Sequence, residues 1–347
     1  MFNSKRLEKI IGLWALSEAF LGGLLHALKM PFTGLIIGNT AVILITLIAR
    51  FSDKKGTILK ATLIVIIIKG MISPHTPLTA YFAVFIQGLL GELFFYRNNF
   101  PAVSALFLGV ITSLLSAFQK IILLTLVFGN NLWVSINEFF NFLIKEFYIA
   151  KYIGDTTDIS FWIISIYAFI HLIGGLFTGI YAGRLYKNIE NNIEAEKIDV
   201  TEILTINNSN GLINKPPQKK KFYKFLLKPV NIFVIIISIS VFVLPFFFPQ
   251  FGYLNSNSVL VMIIRAVLIM LVWIKIVSPM LMRLFQKTVN KKKNIYTDEV
   301  NRIIDSLPVY KSLIILCWRE TKGAGSIKRI RKFIPMVLYN FLSFEIN

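Results

Sequence analysis

The sequence predicts an all-α, polytopic membrane protein, and its composition and apolar runs carry that prediction. Of the 347 residues, 55% are hydrophobic, 16% are charged and 31 are Phe. Ordinary globular chains carry about 25% charged residues, and so many Phe side chains would leave large apolar patches on a soluble surface. Apolar runs of roughly 20 residues, the length of one membrane crossing, follow one another along the chain. These observations argue against a soluble enzyme.

The charge balance and the cysteine count narrow the class further. The chain holds 37 Lys and Arg against 18 Asp and Glu, which gives a net charge of +19. In a membrane chain such an excess is typical of basic cytoplasmic loops, so we expect no nucleic-acid partner. The single cysteine, Cys317, excludes an internal disulfide and a Cys-rich metal or redox site.

Eight apolar segments are long enough to be predicted membrane spans. They lie near residues 9–28, 33–50, 57–73, 77–96, 101–128, 160–185, 231–248 and 258–284. Segment 132–149 is aromatic and apolar but carries Glu138, Lys145 and Glu146, which predicts an interfacial or re-entrant helix instead. If the N-terminus lies in the cytoplasm, the most basic loops all fall on the inner side. We therefore expect eight spans in the cytoplasmic membrane, with both termini in the cytoplasm.

A polar stretch over residues 187–230 divides the chain. It has no apolar period and contains Pro216, Pro217 and three lysines at 219–221, which is typical of a linker. Its lysines are expected to lie at the anionic inner leaflet, so membrane lipid is a predicted partner. The division predicts a six-span domain over 1–186, the basic linker, and a domain over 231–347 with two spans.

Two cytoplasmic helices are predicted after the last span. Segment 297–316 begins with a plausible cap at Thr297 and shows helical spacing of its apolar residues. Pro308 should kink or restart this helix. A break at Gly323-Ala324-Gly325 precedes a second helix, which Ser326 begins and whose polar face is basic.

No sequence pattern for catalysis or nucleotide binding is present. The chain has no P-loop, GxGxxG, HExxH or GxSxG pattern, and its three histidines lie on different segments. We therefore predict no catalytic residue, no metal site and no cofactor of its own. Ionisable residues within spans are costly unless paired or hydrated, and Glu18, Glu92 and His171 are singled out among them. For the two glutamates, an internal ion pair or hydrogen bond and a substrate contact both stay open.

Polar and aromatic residues concentrate in the three loops predicted to lie outside. Aromatic side chains with a few aimed polar groups are typical of a small-ligand pocket. Interfacial anchoring and proline-set turns are the simpler interpretation, but the placement of all three loops on one side favours a pocket. The candidate substrate-binding residues are His26, Lys29, Thr33, Asn39, His75, Thr76, Thr79, Tyr81, Asn131, Trp133 and Asn137.

Small residues at helical spacing predict close helix contacts. Ala15 and Ala19 are four residues apart on the first span, and Gly174, Gly175 and Gly179 share the sixth. Such residues let two helices approach closely in lipid. Packing within the six-span half and a docking face for another membrane subunit are both compatible with this pattern.

The first half of the chain resembles the substrate-binding S component of energy-coupling factor transporters, a class of ATP-driven importers of vitamins and trace nutrients. The resemblance covers about residues 9–186. It rests on the six spans, the Ala15-xxx-Ala19 pair and the outer loop Lys29-Met-Pro-Phe-Thr-Gly34. It implies that a small, vitamin-like substrate enters from outside between the three polar loops.

Residues 307–342 resemble the end of the transmembrane coupling (T) component of the same family. The similarity lies in Leu-Pro308 opening a helix, in Trp318 to Gly325, and in Ile327 to Pro335. Where the family has an Ala-Arg-Gly motif, this chain has Thr321-Lys322-Gly323, and the second such motif would lie beyond Asn347. The two predicted spans before this segment are fewer than the family usually has.

The resemblance implies that a pair of soluble ABC ATPases, which bind the ATP, acts on this basic hairpin. The implied coupling residues are Pro308, Arg319, Lys322, Gly323, Arg329, Arg331 and Pro335, and Ala15 and Ala19 are the implied subunit-packing residues. A further transmembrane coupling subunit stays open. So do three alternatives: helices lying flat on anionic lipid, a non-transporting membrane scaffold, and a membrane enzyme with Glu18 or Glu92 as a base.

Overall fold

The structure is a computed structural model in which part of the chain is described. The described residues are 2–28, 30, 32–52, 54–73, 76, 78–96, 100–147, 158–193, 263, 266–267, 278–323 and 325–343. The predicted span 231–248, most of the span 258–284 and residues 194–230 of the linker lie outside them. Within the described part every regular element is a helix, so the all-α prediction is confirmed there.

The helices follow the apolar runs of the sequence closely. Helix α1 (Phe2–Leu16) continues through a π-helical turn (Ser17–Leu21) into α2 (Gly22–Ala27). The next elements are α3 (Thr33–Phe51), α4 (Thr57–Ile72), α5 (Leu78–Phe95), α6 (Pro101–Phe128), α7 (Asn131–Glu146) and α8 (Ile159–Ile193). The C-terminal elements are α9 (Ser278–Glu320), a 3₁₀ turn (Thr321–Gly323) and α10 (Ser326–Ser343).

Four of the described helices are long and apolar enough to cross a membrane. They are α3, α5, α6 and the Ile159–Lys187 part of α8, and they match four of the predicted spans. The predicted span 57–73 corresponds to α4, whose 16 residues are fewer than the roughly 20 of a full crossing. The predicted span 9–28 is divided among α1, the π-helical turn and α2. The structure therefore supports a membrane-embedded protein, while eight spans are not confirmed.

The chain forms two compact units. Unit 1 comprises Met1–Phe118, Ala168–Asn210 and Ser278–Asn347, and unit 2 comprises Gln119–Tyr167 and Gly211–Val277. Residues from both sides of the predicted linker therefore contribute to unit 1. The largest fully buried side chains of unit 1 come from helices far apart in the sequence, and they include Trp14, Ile45, Ile64, Leu108 and Ile303.

The second part of α9 runs parallel to α1 within unit 1. Non-helical torsions at Tyr296 mark a kink, so a new helical direction begins at the predicted residue Thr297. Arg302 donates a hydrogen bond to Glu8 over 2.9 Å, and Lys311 lies 5.5 Å from the ring centroid of Phe20. Residue numbers rise together along the two helices, which makes the packing parallel.

The helix does not open or break at Pro308, which lies inside α9. It ends instead at Glu320, and the predicted break at Gly323-Ala324-Gly325 corresponds to the 3₁₀ turn and the residues after it. The carbonyl of Gly325 accepts the N–H of Arg329 over 2.7 Å and so joins α10 to this turn. Helices α9 and α10 then pack on each other, with Tyr310 and Phe341 ring centroids 4.9 Å apart.

A seam of small residues holds α6 against α8 in unit 1. A Cβ added to Gly109 would lie 2.5 Å from the carbonyl oxygen of Gly175, and one on Gly179 would lie 2.6 Å from Leu106 Cα. Such short distances to backbone atoms mean that only glycine permits this approach. Gly175 and Gly179, predicted to mediate close packing, therefore contact a helix of the same unit.

Candidate functional site

A buried ion pair joins the π-helical turn to α4. Lys69 Nζ lies 2.7 Å from Glu18 Oε2, and the two side chains are 5% and 3% exposed. The Lys69 ammonium also lies 5.7 Å from the Tyr81 ring centroid. The pairing offsets the cost of placing each charge in an apolar interior. Glu18 Oε1 has no hydrogen-bond partner among the described residues, and π-helical turns are frequent at functional sites.

Glu92 holds the first turn of α4. Its carboxylate accepts the N–H groups of Gly56 over 2.6 Å, Ile58 over 3.1 Å and Leu59 over 3.4 Å. These donors have no partner within the helix, and a negative charge is favourable at a helix N-terminus. Glu92 therefore makes helix-to-helix hydrogen bonds from α5.

A cluster of uncharged polar residues lies between α3, α5 and α6, and we name it the polar cluster: Gly38, Asn39, Gln87, Thr112 and Ser113. Ser113 Oγ donates to Asn39 Oδ1 over 2.8 Å. A Cβ added to Gly38 would lie 3.5 Å from Thr112 Cγ2 and 3.6 Å from Gln87 Nε2. Gln87 is 8% exposed and Thr112 2%. Within the described part of the chain, Gln87 Oε1 and Thr112 Oγ1 have no hydrogen-bond partner.

Glycines bring the helices of the polar cluster together. Gly34 and Gly38 are four residues apart on α3 and face α6, where an added Cβ on Gly34 would collide with Ser116 Oγ. Helix α8 covers the same region, since a Cβ on Gly174 would lie 3.5 Å from Asn39 Nδ2. His171, one turn earlier on α8, is fully buried, and its ring centroid lies 5.8 Å from that of Phe32.

Of the eleven candidate substrate-binding residues, the structure places Asn39 in the polar cluster. Several others in unit 1 make local bonds: Thr33 Oγ1 donates to Met30 O, Thr76 Oγ1 to Ser73 Oγ, and Tyr81 Oη to Ser73 O. Thr79 is half-buried. Lys29, His75 and the side chain of His26 lie outside the described residues.

The candidates in unit 2 support helix ends. Trp133 Nε1 donates to Thr125 Oγ1 over 3.0 Å, and Asn131 is exposed. Asn137 donates to Asp158 Oδ1 and accepts the N–H of Ser160, at the start of α8. Hydrogen bonds from Ser160, Phe161 and Asn137 lower the pKa of Asp158. The charged form is therefore favoured at neutral pH, and the cap weakens as the pH falls through this lowered pKa.

The polar cluster contains residues that the sequence did not single out. Gln87 lies in the apolar middle of α5, and Thr112, Ser113 and Ser116 share one side of α6. The three α6 residues recur at helical spacing and lie opposite Gly34 and Gly38 on α3. That spacing is the sequence pattern from which they could have been predicted. Ser and Thr in an apolar helix usually bond to their own backbone, however, so the spacing alone has little weight.

The end of the C-terminal hairpin, residues 318–334, presents cations and apolar side chains together, and we name it the hairpin tip. Arg329 stacks on Trp318, with its guanidinium carbon 3.7 Å from the ring centroid, and it also donates to Trp318 O over 2.8 Å. Trp318 itself is 43% exposed. The other exposed residues described at the tip are Arg319, Glu320, Lys322, Gly325, Lys328, Ile330, Arg331, Lys332 and Ile334. Pro335 follows inside α10.

The small residues of α1 and of the π-helical turn face the interior of unit 1. Ala15 and Ala19 are buried within unit 1, at 0% and 7% exposure. Gly12, on the same helix, packs against Tyr310 and Ile303 of α9. This part of α1 is therefore occupied by the chain's own core, of which the C-terminal hairpin is a part.

No known family model matches this sequence, and neither the curated proteins nor the solved structures include one with significant similarity to it.

Proposed function

We propose that this chain is the membrane subunit of an importer of the energy-coupling factor type. In this proposal the N-terminal helices bind a small, vitamin-like nutrient from outside, and soluble ABC ATPases act on the C-terminal hairpin. The observation that carries it is the packing of α9 on Gly12 of α1. It joins a surface suited to partner docking directly to the helices that would bind substrate.

The contact between hairpin and N-terminal helices is well suited to transmit motion. Charged pairs tie α9 to two helices: Arg302 to Glu8 over 2.9 Å, and Glu299 to Lys60 over 2.6 Å. The part of α9 between these two charged pairs and the hairpin tip is buried in the core through Ile303, Tyr310 and Leu313. A packed interior transmits displacement because it is dense. A pull on the hairpin would therefore move α1 and α4 with it.

The hairpin tip has the composition of a docking surface for an acidic partner. Its cations would meet acidic side chains of an ATPase, while exposed Trp and Ile side chains supply apolar anchors. The chain has no nucleotide-binding pattern of its own, so the partners would bind and hydrolyse ATP. The proposal includes eight membrane spans with both termini in the cytoplasm. It also places the linker lysines on anionic lipid. A further T subunit is compatible with it.

The test is co-purification of the ATPases with two matched charge reversals. Lys322→Glu is expected to abolish stoichiometric association in mild detergent, because it places a negative charge in the cationic hairpin tip. Lys54→Glu makes the same change at an exposed site before α4 and is expected to leave association intact. Both variants should elute as monodisperse, folded protein in size-exclusion chromatography. Unchanged association of Lys322→Glu would refute the docking role.

A membrane scaffold is the second candidate, and the altered Thr321-Lys322-Gly323 motif favours it. Native membranes from which envelope proteins co-purify, and ATPases do not, would make that function primary. The enzyme alternative has less support, because Glu18 is paired with Lys69 and Glu92 holds the first turn of α4.

A further inference from the structure

We propose that the polar cluster binds the hydrogen-bond-donating end of an uncharged ligand. Gly38, Asn39, Gln87, Thr112 and Ser113 form this site between α3, α5 and α6, all within unit 1. The inference depends on the proposed function only where it identifies that ligand as the imported substrate. The suitable chemical class is a carboxamide, a urea or a nucleobase-like ring.

The unsatisfied atoms point to the ligand's chemistry. Buried polar atoms in native proteins nearly always have a hydrogen-bond partner, yet Gln87 Oε1 and Thr112 Oγ1 have none among the described residues. An amide oxygen can only accept, and a hydroxyl can both donate and accept. A ligand N–H or O–H would satisfy Gln87, and an adjacent carbonyl would accept from Thr112.

The absence of charge within the polar cluster selects a neutral ligand. None of its five residues is ionisable, and the Glu18–Lys69 pair, held by its own 2.7 Å contact, is already neutral as a unit. An ion in this site would lose its hydration without gaining a counter-charge, which is far more costly than burying a neutral group. Carboxylates, phosphates and metal ions are therefore poor ligands here.

The space beside Gly38 sets the size of the group that enters. A methyl-sized atom there would meet Thr112 Cγ2 and Gln87 Nε2 at 3.5 and 3.6 Å, which is ordinary van der Waals separation. The space beside Gly38 thus admits at least one non-hydrogen atom, and because Gln87 Nε2 is a donor, a carbonyl oxygen suits it, while an N–H of the same ligand would donate to Gln87 Oε1. Gly38→Ala would fill that space without collision. Gly23→Ala adds the same methyl group to α2 with no atom within 4 Å and is its matched control.

The first test measures which small molecules the protein retains. Purified protein in lipid nanodiscs is incubated with a deproteinised small-molecule extract of the source cells, washed, and analysed by mass spectrometry. We expect a neutral compound on the wild type and on Gly23→Ala, reduced at least tenfold on Gly38→Ala and Gln87→Leu. Retention of nothing, of an ionic compound, or of equal amounts on Gly38→Ala would overturn the inference.

The second test measures whether a small reagent reaches the polar cluster, which can be done before the ligand is identified. Burial raises the pKa of Cys317 to about 11, and Cys317→Ala removes this thiol. In that background Thr112→Cys is expected to react with methyl methanethiosulfonate, and the retained compound should slow the reaction. Ala105→Cys, equally buried on α6, should not react. A Thr112→Cys as unreactive as Ala105→Cys would mean that the cluster holds at most a buried water.

The two proposals fail in different ways. Gly38→Ala does not touch the hairpin tip, so ATPase association should survive in it. ATPases that co-purify with a protein that retains no ligand would leave the coupling role intact and remove only the binding site. A retained neutral compound without ATPases would keep the site and remove the importer.

Discussion

At the scale of single residues, the buried Glu18–Lys69 pair shows what one sequence can and cannot reveal. An ionisable residue in an apolar run predicts that a partner exists, because the isolated charge would be too costly. It does not say which residue that partner is. Glu18 and Lys69 meet only because the π-helical turn and α4 pack together in one particular register. No local pattern encodes that register, and the same holds for the three N–H groups that Glu92 accepts.

Breaking this pair should be strongly destabilising. Lys69→Met leaves the Glu18 carboxylate buried and unpaired, and breaking a buried ion pair costs about 3–5 kcal/mol. Lys60→Met removes one member of the half-exposed pair with Glu299. Its expected loss of unfolding free energy is about 0–1 kcal/mol. Thermal unfolding in detergent would compare the two. The double variant Glu18→Gln/Lys69→Met should recover most of the loss, and equal melting temperatures of Lys69→Met and Lys60→Met would contradict the prediction.

At the scale of helices, predictions from hydropathy succeeded where a long apolar run encodes a helix by itself. The bounds of α3, α5 and α6 follow from such runs, whereas α8 continues past its apolar run to Ile193, into the predicted linker. The π-helical turn was not predicted, because Ser17–Leu21 differs from ordinary helical sequence in no visible way. The polar cluster was missed except for Asn39, since its members come from three helices and only the packing joins them. Gly38 and Thr112 become partners through the antiparallel approach of α3 and α6.

The α6–α8 seam gives a prediction at the same scale. Gly109→Ala would place its Cβ 2.5 Å from Gly175 O and 3.0 Å from Gly179 Cα, both backbone atoms. Alanine is the better helix former by about 1 kcal/mol, but overpacking of this kind costs about 1–3 kcal/mol. Because backbone atoms cannot turn aside, we expect a lower melting temperature than that of Gly23→Ala. A Gly109→Ala protein as stable as Gly23→Ala would show that the helices separate easily.

At the scale of the whole molecule, the pairing of α1 with α9 was beyond any sequence argument. These helices are separated by almost 300 residues, and the sequence predicted residues 9–28 as a membrane span and the C-terminal hairpin as a surface for lipid or a partner protein. The sequence predicted the hairpin, its break and its basic face, but not that its apolar face belongs to the core of unit 1. That face is buried by the chain itself, which leaves the cationic side outward.

The proposed coupling role makes a prediction about membrane sidedness. Lys322→Cys and Lys54→Cys, each in the Cys317→Ala background, should both be shielded from an impermeant maleimide in intact cells, because ATPases bind from the cytoplasm. Both should react after the membrane is opened. Labelling of Lys322→Cys in intact cells would place the hairpin tip outside and contradict the ATPase docking.

The parallel course of α1 and α9 then fixes an orientation. At a rise of about 1.5 Å per residue, the 18 residues from Arg302 to Glu320 span about 27 Å, close to the thickness of the roughly 30 Å hydrocarbon layer. Arg302 is level with Glu8 near the N-terminus. An upright α1 would therefore carry the N-terminus and the hairpin tip to opposite faces of the bilayer. Under the proposed docking, in which both would meet the cytoplasm, α1 would lie along the membrane surface, and residues 9–28 would then not form a membrane span.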